Sequence, residues 1–411
     1  MVNCEHDGCV VQFTIHYSQL IDYVNDEPRP ATIPFMSLRP SQDGLEIRER
    51  ELLKPYTTFK IGGPARHFAN VKSHSDLAQA VRFAQAEHED IFVLGGGSNV
   101  LINDSGFDGL VVHPVHEGIN VLGEEAETVA LRTHAAETWD KVVAFAVENG
   151  WWGIENLSHI PGHAGAALVQ NIGAYGQQIS DVFEGAEVMD LRTRDVQVLG
   201  RDDCQLAYRK SLFNTTGKGR FFIFSLTIKL AKREQPNLQY ADVKTYFDRR
   251  QTARPAQAEI RRAIIAIRDT KFPFPREEKG GNAGSFFKNL ILDQAQYERL
   301  EANFRKGFGA CDVSRLQELR NRFLTKDAIK IPTAFLIEAC GLKSCRAGGA
   351  EVNATQPLVL LNQGGATAGD VMRLVKHVRQ TIYQRTGMII SIEPELIGFS
   401  QAELADYLAL E

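Results

Sequence analysis

The chain has 411 residues, of which 44% are hydrophobic and 24% charged, and a net charge of −5 at pH 7. That length is enough for two or three domains with sizeable cores. The weak negative charge gives no electrostatic reason to expect nucleic acid or an anionic membrane as a partner. The opening Met1-Val2-Asn3-Cys4-Glu5-His6-Asp7 has no basic stretch leading into an apolar one, so no secretory signal is read there. No apolar run approaches the ~20 residues of a membrane span. Six cysteines, at 4, 9, 204, 311, 340 and 345, are too scattered for a disulfide framework and point to a reducing cytoplasm. Neither Cys4, His6, Cys9 and His16 nor Cys340 with Cys345 has a zinc spacing with a matching second half, so no metal is expected.

Residues 1–50 carry Pro28, Pro30, Pro34 and Pro40, mixed polar residues and one short apolar run, Val10-Val11-Gln12-Phe13, and are expected to be an extension. From Glu51 the pattern is α+β. Ser75 can cap a helix with Leu77, Val81 and Ala84 at helical spacing. The strand Ile91–Leu94 leads through Gly95-Gly96-Gly97-Ser98-Asn99 to Val100-Leu101-Ile102. Thr138 to Asn149 reads as a helix closed by Gly150, and short strands dominate from Ala186 to Leu230. A helix from Pro255 to Asp269 carries Ile260, Ile264 and Ile267 on one stripe. A second unit follows a join near residues 271–280. Its helices are predicted at Thr333–Cys340, stopped by Gly341, and at Thr367–Thr386, stopped by Gly387 with Val371, Leu374, Val375, Val378 and Ile382 on one face. Its final strand is predicted at Met388–Ile392, running into Glu393-Pro394-Glu395.

Three segments carry chemistry. Gly95-Gly96-Gly97-Ser98-Asn99 lacks the helix that a Rossmann loop opens. Successive glycines still allow backbone amides to converge on an anion such as pyrophosphate, although the same residues can form a plain turn. A second cluster runs from Ile160-Pro161-Gly162-His163-Ala164-Gly165-Ala166-Ala167 to Gln170-Asn171-Ile172-Gly173-Ala174-Tyr175-Gly176. Glycine and alanine at that density suit close approach of backbone to a ligand or another segment. Two such clusters fit an extended dinucleotide of the flavin adenine type. The third segment, Gly281 to Asn289, places Ser285, Lys288, Asn282 and Asn289 beside Phe286-Phe287. An apolar pair that shields polar groups suits a site holding a polar ligand away from water, or a glycine-led strand start.

Taken in order, these segments closely resemble the UDP-N-acetylenolpyruvoylglucosamine reductases, the MurB family of bacterial cell-wall enzymes. The likeness runs from about Leu53 to Phe399. It rests on Tyr56-Thr57-Thr58-Phe59, Leu94 to Asn99, Gly153-Ile154-Glu155-Asn156-Leu157, Gln170 to Gly176, Tyr208-Arg209-Lys210-Ser211, Gly281 to Asn289 and Glu393-Pro394-Glu395. The resemblance implies a PCMH-type (vanillyl-alcohol-oxidase-like) FAD-binding domain at 51–271, in subdomains of about 51–118 and 119–271. A smaller MurB C-terminal α+β domain at 272–399 and a tail at 400–411 would follow. It implies hydride transfer from NADPH to FAD and on to UDP-N-acetylglucosamine enolpyruvate, giving UDP-N-acetylmuramate for peptidoglycan, by a cytoplasmic monomer.

The resemblance also assigns residues. Arg209, Ser285 and Glu395 match the family's catalytic positions. Hydride addition to the enol ether pushes negative charge onto the α-carbon and its carboxylate, and a planar guanidinium suits that carboxylate. Ser285 would protonate the α-carbon. Glu395 helps beside developing negative charge only if protonated or donating through a neighbour, so a raised pKa is expected. Gly95, Gly96, Gly97, Ser98, Asn99, Ile160, Gly162, Ala166, Ala167, Asn171, Gly173 and Arg268 would bind FAD. Tyr208, Tyr240, Lys271, Asn289 and Gln356 would surround the UDP-sugar, with Tyr240 closing over the nucleotide. Each has a plainer reading: Arg209 as an ion-pair partner, Ser285 as a loop hydroxyl, Glu395 as a solvated charge, Lys271 as a helix-end cation.

The chain departs from the family pattern at several places. Thr57 stands where Asn is usual, His163 where Thr or Cys is usual, Leu168 and Leu290 where Pro is common, and Asn353 and Pro357 where His and Ala are expected. The last two flank Gln356, and Pro357 removes a main-chain donor. They leave open a flavoenzyme of the same fold acting on another enolpyruvyl or nucleotide-sugar substrate. A non-catalytic flavin- or nucleotide-sugar-binding regulator, with residues 1–50 as its interaction segment, is the other alternative, and it has no use for a proton donor.

Overall fold

The computed structural model describes residues 39–40, 44–271, 280–325 and 328–410. The expected run Val10–Phe13, the cysteines at 4 and 9, and nearly all of the join at 271–280 lie outside them.

The first layer is a five-stranded sheet in the order Arg39–Pro40, Glu46–Glu49, Ala65–Val71, Phe107–Pro114, Ile91–Val93. The strands 65–71, 107–114 and 91–93 run parallel. The helix His74–Glu87 packs on this sheet through Leu77, Ala80, Val81 and Ala84. Its cap is Ser73, not Ser75. Asp76 lies three positions after Ser73, so each side chain accepts from the other's backbone N–H, a reciprocal box that Ser75 cannot form. Residues 46–49 belong to the sheet rather than to a detached extension. Leu45 and Ile47 are buried, and they alternate with Glu46 and Arg48 in the two-residue period of a strand with one covered face.

A second sheet is antiparallel throughout, in the order Val196–Gly200, Phe183–Asp190, Phe221–Ala231, Thr128–His134, Ile119–Glu124. The helix Trp139–Glu148 packs on it around fully buried Trp139 and Val142. The helix Gln257–Lys271 buries Ile260 and Ile264 in an adjoining cluster.

The third group of elements centres on the helix Ala368–Thr386, capped by Thr367 and ended by left-handed Gly387. Val371, Leu374, Val375, Val378 and Ile382 are all fully buried in one cluster with Phe286, Phe287 and Phe304. The last strand is Glu395–Ile397, not Met388–Ile392. Met388 and Ile390 are buried and Ile389 is exposed, as a strand would have it. In 388–392, however, only Ile392 is bridged to another chain segment, at Phe287. Residues 401–408, expected as tail, form a helix capped by Ser400. Among the described residues no helix is long and apolar enough to cross a membrane.

The third group is joined to the first by main chain and by caps. Glu395–Ile397 pairs in parallel with Val100–Ile102, directly after the first glycine cluster. The Asp104 carboxylate accepts from the backbone N–H groups of Ala368 (2.8 Å) and Gly369 (3.1 Å), so a residue of one unit caps the central helix of the other. Asp104→Ala removes both contacts and a favourable charge at the helix start. It is expected to cost about 1–2 kcal/mol, read as a lowered denaturant midpoint at unchanged slope. An unchanged midpoint would show that Thr367 alone suffices as the cap.

Candidate active site

The two glycine clusters meet face to face. A Cβ on Gly96 would lie 2.7 Å from the Cα of Gly162, and one on Gly95 would lie 3.2 Å from the Cβ of Ala166. Gly162, at φ +111°, would bring a Cβ within 2.5 Å of Ser98 Oγ. Gly97, at φ +57°, has the Tyr56 carbonyl oxygen where a Cβ would stand, at 2.0 Å. The glycines therefore serve contact between two loops as well as room for a ligand. Within the second cluster, residues 164–169 form a six-residue helix that the sequence did not disclose.

Where these loops meet the third group of elements there is a cleft of ≈ 560 Å³. Arg209, Ser285 and Glu395 all line it. So do Gly95, Gly97, Ser98, Asn99, Ile160, Ala166, Ala167, Gly173 and Arg268, and also Tyr240, Lys271, Asn289 and Gln356. Four expected residues are not in its walls. Gly96 and Gly162 are taken up by loop-to-loop packing. Asn171 is buried, donating from Nδ2 to the Ala207 carbonyl and accepting at Oδ1 from the Ser180 N–H, so it anchors the loop that precedes Arg209. Tyr208 is 48% exposed, its ring 5.6 Å from the Arg209 guanidinium carbon and 5.5 Å from Lys330 Nζ.

Arg209 sits at φ +55°, in the left-handed region that few side chains occupy. Its Nη2 donates to the Gly173 carbonyl at 2.8 Å and its Nη1 to the Asn171 carbonyl at 3.5 Å. Nε lies 3.0 Å from Glu393 Oε1. Glu395 instead pairs with Lys218 Nζ at 2.6 Å. Burial pushes the Glu393 carboxyl above the usual carboxylate range, with Arg209 and Lys288 opposing the shift. The Glu393 side chain is 12% exposed in the cleft wall, while Glu395 reaches the more exposed Lys218.

At the other end of the cleft, Lys271 pairs with Asp242 at 2.6 Å and stands 6.0 Å from the centre of the Tyr175 ring. Tyr175 meets Tyr240 edge to face at 5.2 Å. Tyr240 itself is 45% exposed and stands at the start of the helix Ala241–Asp248. Arg268 is buried and donates from Nε to the His159 carbonyl at 2.8 Å. Asn289 accepts from the Thr333 N–H, and Asn353 donates to the Lys271 carbonyl, joining two sides of the cleft.

Lys218, Lys288, Glu393, Tyr175 and His163 line the cleft without having been assigned a part in it. Glu393 could have been found from its two-residue spacing to Glu395, which puts both on one side of an extended segment. Lys218, between Gly217 and Gly219, carries no such signal.

The geometry fits a dinucleotide. The glycine cradle has no room for added Cβ atoms on its loop-facing side, and His163 Nδ1 is buried without a protein partner. Burial, and then His113 with its ring 5.8 Å away, push the His163 imidazole down to about 4, so it stays neutral at pH 7.

Comparison with known proteins agrees. The family profile for an FAD-binding domain matches residues 65–198, and that for the C-terminal domain of UDP-N-acetylenolpyruvoylglucosamine reductase matches residues 275–397. The enzyme of that name from Flavobacterium johnsoniae is 34% identical over 354 residues, 86% of this chain and 100% of the relative. The one from Neisseria gonorrhoeae is 36% identical over 355 residues, 86% and 98% respectively. The crystal structure of the Thermus caldophilus enzyme shares the fold, with a TM-score of 0.58 at 22% identity over 88% of this chain and 100% of that one. The chain belongs to the UDP-N-acetylenolpyruvoylglucosamine reductase (MurB) family, a flavoprotein with an FAD-binding domain and the family's C-terminal domain.

Proposed function

We propose that this chain reduces UDP-N-acetylglucosamine enolpyruvate to UDP-N-acetylmuramate, with NADPH as the hydride donor, as a cytoplasmic monomer. Residues 51–271 would carry FAD and residues 272–399 the sugar nucleotide. The observation that carries this reading is the gathering of Arg209, Ser285 and Glu395, from three distant parts of the chain, into the cleft that the glycine clusters also line.

Bound FAD supplies a carrier that accepts hydride from one substrate and gives it to another. The rest falls to side chains. Gly95, Gly97, Ser98, Asn99 and Gly173 would hold the cofactor, with Arg268 fixed against the His159 carbonyl. Arg209 faces the substrate carboxylate, where charge builds as the β-carbon takes hydride. A fixed cation there lowers the barrier without reorganising during reaction. Ser285 gives its proton to the α-carbon, and nearby Lys288 favours the alkoxide that this leaves. Glu395, held by Lys218, orders the polar groups around that step. Lys271 and Asn289 take the diphosphate, and Tyr240 covers the nucleotide.

Purified protein is expected to be yellow and to consume NADPH only when the enolpyruvyl substrate is present. Ser285→Ala should leave NADPH-driven flavin reduction within about twofold and slow flavin reoxidation by substrate ~10²-fold or more, because its proton enters only there. NADPH consumption indifferent to the enolpyruvyl compound would end the reading, and equal slowing of both half-reactions would remove Ser285 from its role.

A further inference from the structure

Glu393 takes no part in the reaction as set out above, yet its surroundings are specific. Its backbone N–H donates to the Phe286 carbonyl at 2.9 Å, tying it to the segment that carries Ser285. Its side chain is only 12% exposed and stands between two cations of the cleft wall, Arg209 and Lys288. The Arg209 Nε is buried and lies 3.0 Å from Glu393 Oε1, an ion pair inside the cleft wall. On its other sides the guanidinium meets two acceptors of the second glycine cluster, the carbonyls of Gly173 and Asn171. Arginine has five N–H donors. Three are directed at these groups, which leaves two for a ligand.

We propose that Glu393 is a positioning residue: its carboxylate, ionised, holds Arg209 against the Gly173 and Asn171 carbonyls and so aims the remaining donors at the substrate's carboxylate. The inference rests on the functional reading above for its kinetics but not for its geometry. Placement of this kind acts on rate more than on affinity. A displacement of about 1 Å at a catalytic group can cost ~10²-fold in rate. Removing the negative charge also leaves Arg209 and Lys288 less neutralised, which favours an anionic substrate. A purely structural role would instead weaken FAD binding and raise KM.

Charge state supplies a second signature. Arg209 and Lys288 face Glu393 directly; Lys330 stands near Arg209, and the Lys218–Glu395 pair lies two residues further on. Burial raises the Glu393 pKa above its ordinary 4.5 despite the two cations. As pH falls through that raised value the carboxyl takes up a proton and Arg209 loses its ionic partner. The substrate half-reaction should then slow on an acid limb lying above the usual carboxylate range.

The test compares wild type with Glu393→Gln, which keeps the shape of the side chain and removes the charge. In stopped flow, Glu393→Gln should reoxidise its flavin with the enolpyruvyl substrate roughly 10–100-fold more slowly. Its KM for that substrate should be unchanged or lower, flavin reduction by NADPH should match wild type, and the acid limb should be gone. Separately, and with no substrate present, the Arg209 Nε–H in ¹⁵N-arginine-labelled protein should exchange slowly in wild type and fast in Glu393→Gln. Unaltered Arg209 exchange overturns the proposal, and so does a Gln variant that keeps both the wild-type reoxidation rate and the acid limb. A wild-type protein without turnover strikes the functional reading alone, while the exchange measurement still decides this one.

Discussion

Arg209→Lys is expected to slow reduction of the enolpyruvyl substrate by ~10²–10³-fold while flavin reduction by NADPH stays within a few-fold. Lysine keeps the charge, so an effect of that size must come from geometry. The guanidinium donates to two carbonyls and lies beside a largely buried carboxylate, and it still has N–H bonds for a ligand. An ammonium has three donors on a flexible stem and cannot face all of these groups in one plane. The backbone at 209 is already left-handed, which aims the side chain toward the second glycine cluster rather than along its own loop. Single-turnover measurement of flavin reoxidation separates the outcomes. A lysine variant that reoxidises at the wild-type rate would reduce Arg209 to a source of charge, and one slowed equally in both half-reactions would mark a structural role.

Gly97→Ala should abolish stable FAD binding. At φ +57° an L side chain costs about 1–2 kcal/mol. The larger effect is steric. The added Cβ would lie 2.0 Å from the Tyr56 carbonyl oxygen and 2.7 Å from the Thr57 Cα, both main chain, so residues 56–58 must move. That segment accepts at Thr58 O from Asn282 N–H and donates from Thr58 Oγ1 to the Asn282 carbonyl at 2.7 Å, so a shift passes to the stretch bearing Ser285. A loss of at least ~3 kcal/mol in cofactor affinity, about a hundredfold or more, is expected. Flavin fluorescence titration of the apoprotein measures it, with circular dichroism to show that the fold persists. A yellow variant with one FAD per chain would mean that the cradle tolerates the methyl group.

Local signals in the chain are legible, and long-range ones are not. The helix Ala368–Thr386 announced itself through Thr367, Gly387 and an apolar stripe, each of which acts within a few residues. The fully buried Phe286-Phe287 pair was legible for the same reason: two adjacent aromatics beside polar groups imply a covered wall. The short helix 164–169 is silent in the sequence because glycine and alanine carry no amphipathic pattern, and it packs against the first cluster. The strand near the C-terminal end lies later than its local pattern predicts. Alternation at 388–390 was real, but the partner of Glu395–Ile397 is Val100–Ile102, a choice no nearby residue encodes. The resemblance named many of the residues that line the cleft, but not Lys218, Lys288 or Glu393 as parts of it. It did not say that Arg209 would lie against Glu393 and Lys218 against Glu395.

That pairing also sets an order of events during synthesis. Asn103 lies just past the first glycine loop and reaches Gly398, 295 positions further on. At roughly 5–20 residues per second, some 15–60 s of translation separate the two. A nascent chain therefore displays the loop for a long interval before its covering strand exists. The edge of Val100–Ile102 that Glu395–Ile397 covers therefore stays without that partner until almost the whole chain has been made.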